Sequence, residues 1–219
     1  MTLDALRGAL RDALVQATGQ GGDPAHDLAH ADRVWRHAET IAHGEGMEAS
    51  RVLVAAVYLH DLVTLPKDHP KRAQAATLSA TAAGPVLEAL GLSRAEIAAA
   101  RHAIEAHSFS GETVPQTPEA MVLHDADRLE ALGAIGIARC FAVSGALGRS
   151  LFDQNDPFAH GRAADDSRFA LDHFAVKLLR LPETFLTATG KRLAEGRAAA
   201  MRRYLADLAG ELGSPPPGW

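Results

Sequence analysis

Histidine and aspartate side chains that could bind a metal are concentrated at three places in the sequence. Residues 25–39, AHDLAHADRVWRHAE, carry three histidines within roughly three helical turns. The pair His60-Asp61 follows the most apolar run of the chain, and Asp127 lies within the apolar stretch MVLHDADRLEAL. An ionised carboxylate is costly to bury unless it is paired or bound to a cation. Because imidazole and carboxylate together suit divalent transition metals, manganese and magnesium, these residues indicate a metal site.

A purely structural interpretation of the same residues stays open at this point. Asp61 could cap the turn that follows it, and Asp127 could form an ion pair with Arg128 or Arg101. A histidine in an apolar helix is also commonly a core residue with its hydrogen bonds satisfied. The residue pattern alone therefore allows both a metal centre and a helical scaffold with incidental histidines.

The segments that must position these residues have helical patterns in the first part of the chain. Leucines at three- and four-residue steps predict an amphipathic helix over 2–18 with Thr2 as its cap. Asp23-Pro24 predicts the start of a second helix, which ends near His43-Gly44. A third helix is predicted to begin near Ser50. Its run VLVAAVYL would also suit a buried strand, but the alanine pair and the lack of turn signals favour a helix.

The rest of the chain is also predicted to be helical, apart from one long loop. Residues 71–83 predict a helix that Gly84-Pro85 interrupts or kinks. A capping box at Ser93 and Glu96 predicts a helix to about His107, and Thr117-Pro118-Glu119 predicts the cap of the next helix. A loop is predicted over 144–166, followed by helices over about 167–181 and 183–211.

These elements predict an all-α fold without an internal repeat or a clear linker. The predicted parts are an N-terminal amphipathic helix and turn over 1–22, a metal-binding core over 23–140, a loop and C-terminal helices of the same domain over 141–211, and a flexible tail over 212–219.

Composition and charge limit the partners of the protein. The chain has 219 residues and a net charge of −5, which argues against non-specific nucleic-acid binding because that requires a basic surface. A local basic pocket for a small phosphorylated ligand is still allowed. The single Cys140 cannot form an internal disulfide and indicates a reducing compartment. The longest apolar run, residues 52–59, is shorter than the roughly 20 residues of a membrane span. We therefore expect a soluble cytoplasmic protein that binds neither a nucleic-acid polymer nor a membrane.

The order of the motifs resembles the HD-domain metal-dependent phosphohydrolases, and most closely their small single-domain bacterial branch. The motifs that carry the resemblance are HDxxHxxRV at 26–34, LHDLV at 59–63 and DADRLEALGAIGIAR at 125–139. Further matches are HSFS at 107–110, DHFAVKLLRL at 172–181 and ATGKRLAEGRAAAM at 188–201. The resemblance covers about residues 23–205. It implies a single-domain helical bundle of the HD type with additional C-terminal helices.

The resemblance also implies a ligand set for one divalent metal ion. The ligands fall on His30, His60, Asp61 and Asp127, with Asp125 as a weaker candidate for the last position. His102 and His107 are five residues apart, so they are poorly placed to bind a second metal together from one regular helix. Several ions suit this set, namely Mn²⁺, Mg²⁺, Ni²⁺, Fe²⁺, Co²⁺ and Zn²⁺, and we favour Mn²⁺.

The remaining predicted site residues concern substrate and catalysis. Arg33 lies one helical turn after His30 and is predicted to contact a phosphate, and Asp61 or a neighbouring histidine is predicted to take a proton from water. Candidate substrate-binding residues are His26, Arg33, Lys67, His107 and Lys177. Some nucleotidases of the family carry a glutamate soon after the histidine–aspartate pair. This chain has Thr64 and Leu65 there, which puts a glutamate-assisted water attack in doubt.

The predicted activity is metal-dependent hydrolysis of a nucleotide or another phosphorylated small molecule. Hydrolysis of a (deoxy)nucleoside triphosphate, or release of pyrophosphate from it, is the first hypothesis. The alternatives are a nucleoside 5′-monophosphate phosphatase, a cyclic phosphodiesterase, and a non-catalytic module that binds nucleotide or metal. A homodimer is left open by the sequence.

Overall fold

The computed structural model describes residues 1–18, 28–65, 69, 71–108, 111 and 113–219. Its α-helices within those residues are α1 (Leu3–Thr18), α2 (Leu28–Gly44), α3 (Arg51–Leu59), α4 (Ala75–Ala89), α5 (Arg94–Ala106), α6 (Pro118–Arg128), α7 (Gly133–Ala146), α8 (Asp172–Val176) and α9 (Ala188–Glu211). Short 3-10 segments lie at Arg72–Gln74, Leu129–Ala131 and Leu178–Thr184. Extended pairing in this described part is a single isolated bridge between Ser150 and Phe169. The predicted all-α class is therefore confirmed.

The chain divides into two compact units, Met1–Asp127 and Arg128–Trp219. The domain boundaries predicted at residues 22, 140 and 211 and the flexible tail stay predictions. Among the described residues no single helix is long and apolar enough to cross a membrane. Helix α6 with its 3-10 extension and helix α7 reach that length and apolar composition only together, as a bent pair.

The first unit is built around α3. Every residue from Leu53 to Leu59 is buried, and α3 packs against α1, α2, α4 and α5. Each fully buried aliphatic side chain of this kind contributes roughly 1.5–3 kcal/mol, so a helix that is apolar on every side is stable only in such a central position. The preference for a helix over a strand in VLVAAVYL is confirmed. The burial of α3 also brings the residues at its end into the interior.

Side-chain caps define the predicted helix starts. The capping box is present, because Ser93 accepts a hydrogen bond from the Glu96 N–H and the Glu96 carboxylate accepts one from the Ser93 N–H. Thr2, Ser50 and Thr117 accept hydrogen bonds at 3.3, 3.1 and 3.2 Å from the N–H three residues later. These caps confirm the predictions for α1, α3, α5 and α6. The predicted start at Asp23-Pro24 lies outside the described residues.

The predicted interruption at Gly84-Pro85 is wrong, because α4 runs through both residues to Ala89, while the alternative of a kink there stays a prediction. A proline inside a helix removes one backbone hydrogen bond and costs roughly 3 kcal/mol. The buried residues of α4 lie on both sides of the pair, at Ala80 and Ala83 before it and at Leu87 after it. Packing of this continuous face offsets the cost of the proline.

The second unit contains α7 packed against α9, with α9 also packed against the 3-10 segment Leu178–Thr184. The segment between α7 and α8 is irregular, as the loop prediction for 144–166 required. The last helix begins at Ala188, five residues later than predicted, because the Thr187 hydroxyl caps it by accepting the Gly190 N–H at 3.0 Å.

The helix predicted over 167–181 is wrong, because only Asp172–Val176 is α-helical. The N–H groups of Ala170 and Leu171 donate to the carbonyls of residues 150 and 151, at 2.9 and 3.0 Å, and so cannot serve a helix. The buried Asp172 carboxylate accepts a hydrogen bond from Arg162 Nη2 at 2.9 Å. These contacts join residues distant in sequence, and they override the local helical pattern.

Candidate metal centre

Two buried imidazoles and two carboxylates come together in the first unit. Nε2 of His30 lies 3.3 Å from Nε2 of His60. Both nitrogens lie within 3.9 Å of a carboxylate oxygen of Asp61 and of Asp127, and the closest approaches are 3.3 Å between His60 and Asp61 and 3.4 Å between His30 and Asp127. The imidazoles are nearly fully buried, whereas the side chains of Asp61 and Asp127 are 23% and 29% exposed. The carboxylates therefore form the side of the cluster that solvent reaches.

Helix ends position most of these donors. His60 and Asp61 directly follow α3, and Asp127 is the residue before the last of α6. His107 directly follows α5 and also reaches the cluster. The C-terminal end of a helix carries a partial negative charge that favours a nearby cation by roughly 0.3–1 kcal/mol. Three such ends therefore favour positive charge at this place.

The orientation of His60 is fixed by the last turn of α3. Its Nδ1 lies 2.7 Å from the Val57 carbonyl oxygen, which can only accept, so Nδ1 carries the hydrogen. In the neutral ring Nε2 then has a free lone pair directed into the cluster. This is the usual arrangement of a metal-binding histidine, in which a carbonyl or carboxylate accepts from the other ring nitrogen.

His107 has the same arrangement at the end of α5. Its Nδ1 lies 2.5 Å from the Ile104 carbonyl, and its Nε2 lies 3.8 Å from a carboxylate oxygen of Asp61. Its ring also meets the His60 ring edge to face at 4.8 Å. His102 does not join the cluster, because its Nε2 accepts the Gln116 N–H at 3.1 Å. These orienting carbonyls were not predicted from the sequence, although a histidine at the end of a predicted helix, as at position 107, was the available signal.

The charges of the cluster are strongly coupled. Burial alone would lower the pKa of His60, but the carboxylates of Asp61 and Asp127 outweigh it and raise that pKa to about 9. Burial opposes ionisation of Asp127, yet its hydrogen bond to His30 and the nearby imidazoles hold its pKa well below the usual range. Burial and the positive charge of His60 lower the pKa of His107. The cluster thus attracts one positive charge onto the imidazole pair, the position that a cation would take.

The donor set fits a divalent ion. Two atoms that are each about 2.1 Å from one ion are about 3.0 Å apart at a right angle and about 3.4 Å apart at the tetrahedral angle, close to the shortest separations in the cluster. Two groups of donor atoms lie mutually within 4.8 Å, namely His30, His60 and Asp127, and His60, Asp61 and His107. The four residues predicted as ligands therefore lie in one cluster, and their assignment as ligands stays a prediction.

Asp125, the weaker ligand candidate, has a different partner. Its Oδ1 lies 2.8 Å from Nδ1 of the neighbouring His124, and both side chains are buried. Neither residue belongs to the two donor groups among the described residues. His124 is therefore a buried histidine whose Nδ1 is paired with the neighbouring carboxylate.

Of the other predicted substrate-binding residues, the structure describes Arg33 and Lys177. Arg33 lies on α2, partly exposed, three residues after His30. Lys177 follows α8 in the second unit, where its N–H donates to the His173 carbonyl at 3.0 Å. His26 and Lys67 lie outside the described residues. Their roles stay predictions.

Comparisons with known proteins identify a matching family and a relative in Bacillus subtilis. The sequence profile of the HD domain matches residues 27–132. The chain is 31% identical to YpgQ of Bacillus subtilis over 191 residues, which cover 85% of this chain and 84% of that protein.

Solved structures match nearly the whole chain. The crystal structure of Bacillus subtilis YpgQ in complex with ADP matches with a TM-score of 0.72 at 27% identity, over 96% of this chain and 97% of that one. A crystal structure of an HD-superfamily hydrolase from Bacillus thuringiensis matches with a TM-score of 0.75 at 28% identity, over 98% of this chain and 100% of that one.

Proposed function

The chain belongs to the HD-domain superfamily of hydrolases, and we propose from this premise that it is a metal-dependent phosphohydrolase of nucleotides. The first hypothesis for its reaction is hydrolysis of a (deoxy)nucleoside triphosphate, or release of pyrophosphate from it. The observation that carries the proposal is the cluster of His30, His60, Asp61 and Asp127. The ADP complex of YpgQ supports a nucleotide as the ligand, because that relative is similar over nearly its whole length.

The four clustered side chains would hold one divalent ion, for which we favour Mn²⁺ among the ions that accept imidazole and carboxylate ligands. Such an ion lowers the pKa of a bound water and polarises a phosphoryl oxygen. The buried imidazoles of His30 and His60 keep bulk water from the inner side of the cluster. The exposed side, formed by the two carboxylates, is where water and a phosphate group would enter.

Residues of this chain would accept the proton of the attacking water and stabilise the negative charge on the phosphoryl oxygens. Asp61 takes a proton from the attacking water as the new O–P bond forms and the bond to the leaving oxygen breaks. Arg33 donates hydrogen bonds to the phosphoryl oxygens. The lowered pKa of His107 keeps its ring neutral, so that Nε2, beside Asp61, accepts a hydrogen bond from the bound water or substrate. His26, Lys67 and Lys177 complete the proposed substrate-binding set.

Three alternatives to this proposal use the same cluster and differ from it in measurable ways. A nucleoside 5′-monophosphate phosphatase or a cyclic phosphodiesterase would use the same cluster on another phosphate ester. A non-catalytic regulatory module would bind nucleotide and metal without turnover. Substitution of Asp61 would then change an affinity but no rate.

The test measures phosphate and pyrophosphate release from a panel of nucleotides after metal-stripped protein is reloaded with Mn²⁺, Mg²⁺ or Zn²⁺. We expect metal-dependent turnover of at least one nucleotide. Asp61→Asn should lower kcat by about 100-fold or more, as expected for loss of a general base. Asp166→Asn is the matched control, because this carboxylate pairs with His173 at 2.8 Å and belongs to neither donor group. Folded, metal-loaded protein that hydrolyses no member of the panel would contradict the proposal.

A further inference from the structure

The second unit contains a cavity that no residue of the metal cluster lines. Its volume is about 280 Å³, near the lower end of the roughly 300–1,000 Å³ typical of small-molecule pockets. The apolar part of its wall includes Ala164, Ala175 and Leu179. The remainder is formed by two arginines and an indole. A cavity of this size admits a single ring system with its charged group.

The two arginines that line the cavity are Arg180, from the 3-10 segment after α8, and Arg202, from α9. Both are exposed. Within the described part of the chain neither guanidinium makes a hydrogen bond or an ion pair. Two guanidiniums at one cavity without a carboxylate to neutralise them attract an anion, and their planar donors suit a phosphate or carboxylate group.

The indole in the wall is that of Trp219, and its position is fixed by hydrogen bonds. Its Nε1 donates to the carbonyl of the buried Phe158 at 2.9 Å. The same stretch is attached a second time, because His160 Nε2 lies 3.3 Å from the Pro215 carbonyl. Between these contacts Ala159, which also lines the cavity, has a φ of 53°, a left-handed conformation that is unfavourable for a residue other than glycine. An indole held in this way offers a preformed surface for an aromatic ring.

From these three features we propose that the cavity binds a small planar aromatic dianion, with its charged group between Arg180 and Arg202 and its ring against Trp219. The ligand class is an aryl dicarboxylate or an aromatic phosphate monoester, which share two negative charges next to a flat ring. The site is separate from the proposed hydrolysis, because none of its lining residues is a candidate metal ligand.

The test titrates metal-loaded protein with isophthalate, a flat dianion that has no phosphoryl bond to hydrolyse, and records calorimetric binding and tryptophan fluorescence. We expect saturable binding with a change in Trp219 emission. Arg180→Ala and Arg202→Ala should each weaken binding by about tenfold or more, the effect of losing a charge-assisted hydrogen bond. Trp219→Leu should remove the fluorescence change and weaken binding. Arg203→Ala is the matched control, because this exposed arginine of α9 does not line the cavity and should bind isophthalate as the wild type does.

A second arm with phenylphosphonate, a flat aromatic anion whose C–P bond is not hydrolysed, identifies the charged group. Tighter binding of this phosphonate than of isophthalate, weakened by the same two variants, would indicate a phosphate monoester, and the opposite order would indicate a dicarboxylate. The proposal is overturned if wild-type protein shows no saturable binding of isophthalate up to millimolar concentration. Equal affinity of wild type, Arg180→Ala and Arg202→Ala would also overturn it. Circular dichroism of each variant excludes unfolding as the cause of a loss.

Discussion

Exchange of Asp127 for asparagine should remove the stabilisation that a divalent metal gives to the protein. The change keeps the shape of the side chain but removes a negative charge 3.4 Å from His30 Nε2 and 3.9 Å from His60 Nε2. Asp125→Asn is the matched control on the same helix, because the Asp125 carboxylate bonds to His124 instead. The two variants therefore separate the two candidate ligands of α6.

The expected size of the effect follows from the charges. Two unit charges 4 Å apart interact by about 4 kcal/mol at an effective dielectric constant of 20. A divalent ion doubles this value, and the 29% exposure of Asp127 reduces it through solvent screening. Even half of the single-charge value, about 2 kcal/mol, weakens metal binding roughly 30-fold, and loss of a direct ligand removes more. We therefore expect a loss of about 100-fold in metal affinity.

Thermal unfolding with and without Mn²⁺ measures this effect. At a metal concentration about 100 times the wild-type Kd, binding stabilises the folded state by about 2.7 kcal/mol, which raises the Tm of a chain of 219 residues by about 5–11 °C. At the same concentration Asp127→Asn should keep only about 0.4 kcal/mol, or roughly 1–2 °C.

Asp125→Asn should be less stable by about 1–3 kcal/mol both with and without metal, because it weakens a buried hydrogen bond, but it should keep the full metal-induced increment. An increment that survives in Asp127→Asn and disappears in Asp125→Asn would refute the assignment of Asp127.

Three further predictions concern the fold. Gly136→Ala should destabilise the protein by at least about 2 kcal/mol in urea unfolding, because a Cβ there would overlap the Ala131 carbonyl oxygen, whereas Gly145→Ala in the same helix meets open space and should stabilise by about 0.5–1 kcal/mol. Ser93→Ala should lower stability by about 1 kcal/mol, or the Tm by about 2–4 °C, through loss of the α5 cap. Backbone N–H groups lower the pKa of Asp156 below 3.8, so its contribution to stability is present above that pH and is lost as the pH falls through the lower folded-state value; urea titrations of wild type and Asp156→Asn should converge in acid.

Local signals in the sequence predicted the parts of the fold that depend on neighbours in the chain. The caps at Thr2, Ser93 and Thr117 were predictable because a capping bond joins residues three apart. The mostly non-α-helical structure of residues 167–181 was not predictable, because contacts with residues 150, 151 and 162 determine the conformation of that segment. The uninterrupted course of α4 through Pro85 likewise depends on tertiary packing of a face that spans the proline.

For the candidate site, the sequence predicted which residues take part but not the geometry that joins them. Motif order pointed to His30, His60, Asp61 and Asp127, but nothing local to any of them fixes the distances between their donor atoms, because these residues lie on or directly after three different helices, α2, α3 and α6. Likewise, the spacing of five residues argued only that His102 and His107 would not bind a second metal together from one regular helix. The structure places His107 at the C-cap of α5 with helical backbone angles, and its Nδ1 lies 2.5 Å from the Ile104 carbonyl oxygen, whereas His102 accepts a hydrogen bond from the Gln116 N–H.

The end of α3 explains how neighbouring residues can serve one ion although adjacent helical side chains point about 100° apart. The last residues of α3 are buried on every side, and His60 inherits that environment with its Nδ1 bonded to the Val57 carbonyl. Asp61 is the first residue past this turn, so its carboxylate reaches the solvent side while Oδ2 stays 3.3 Å from Nε2 of His60. The order histidine then aspartate therefore gives an inner imidazole donor and an outer carboxylate donor. The reverse order would place the carboxylate in the apolar interior, where its desolvation would cost several kcal/mol.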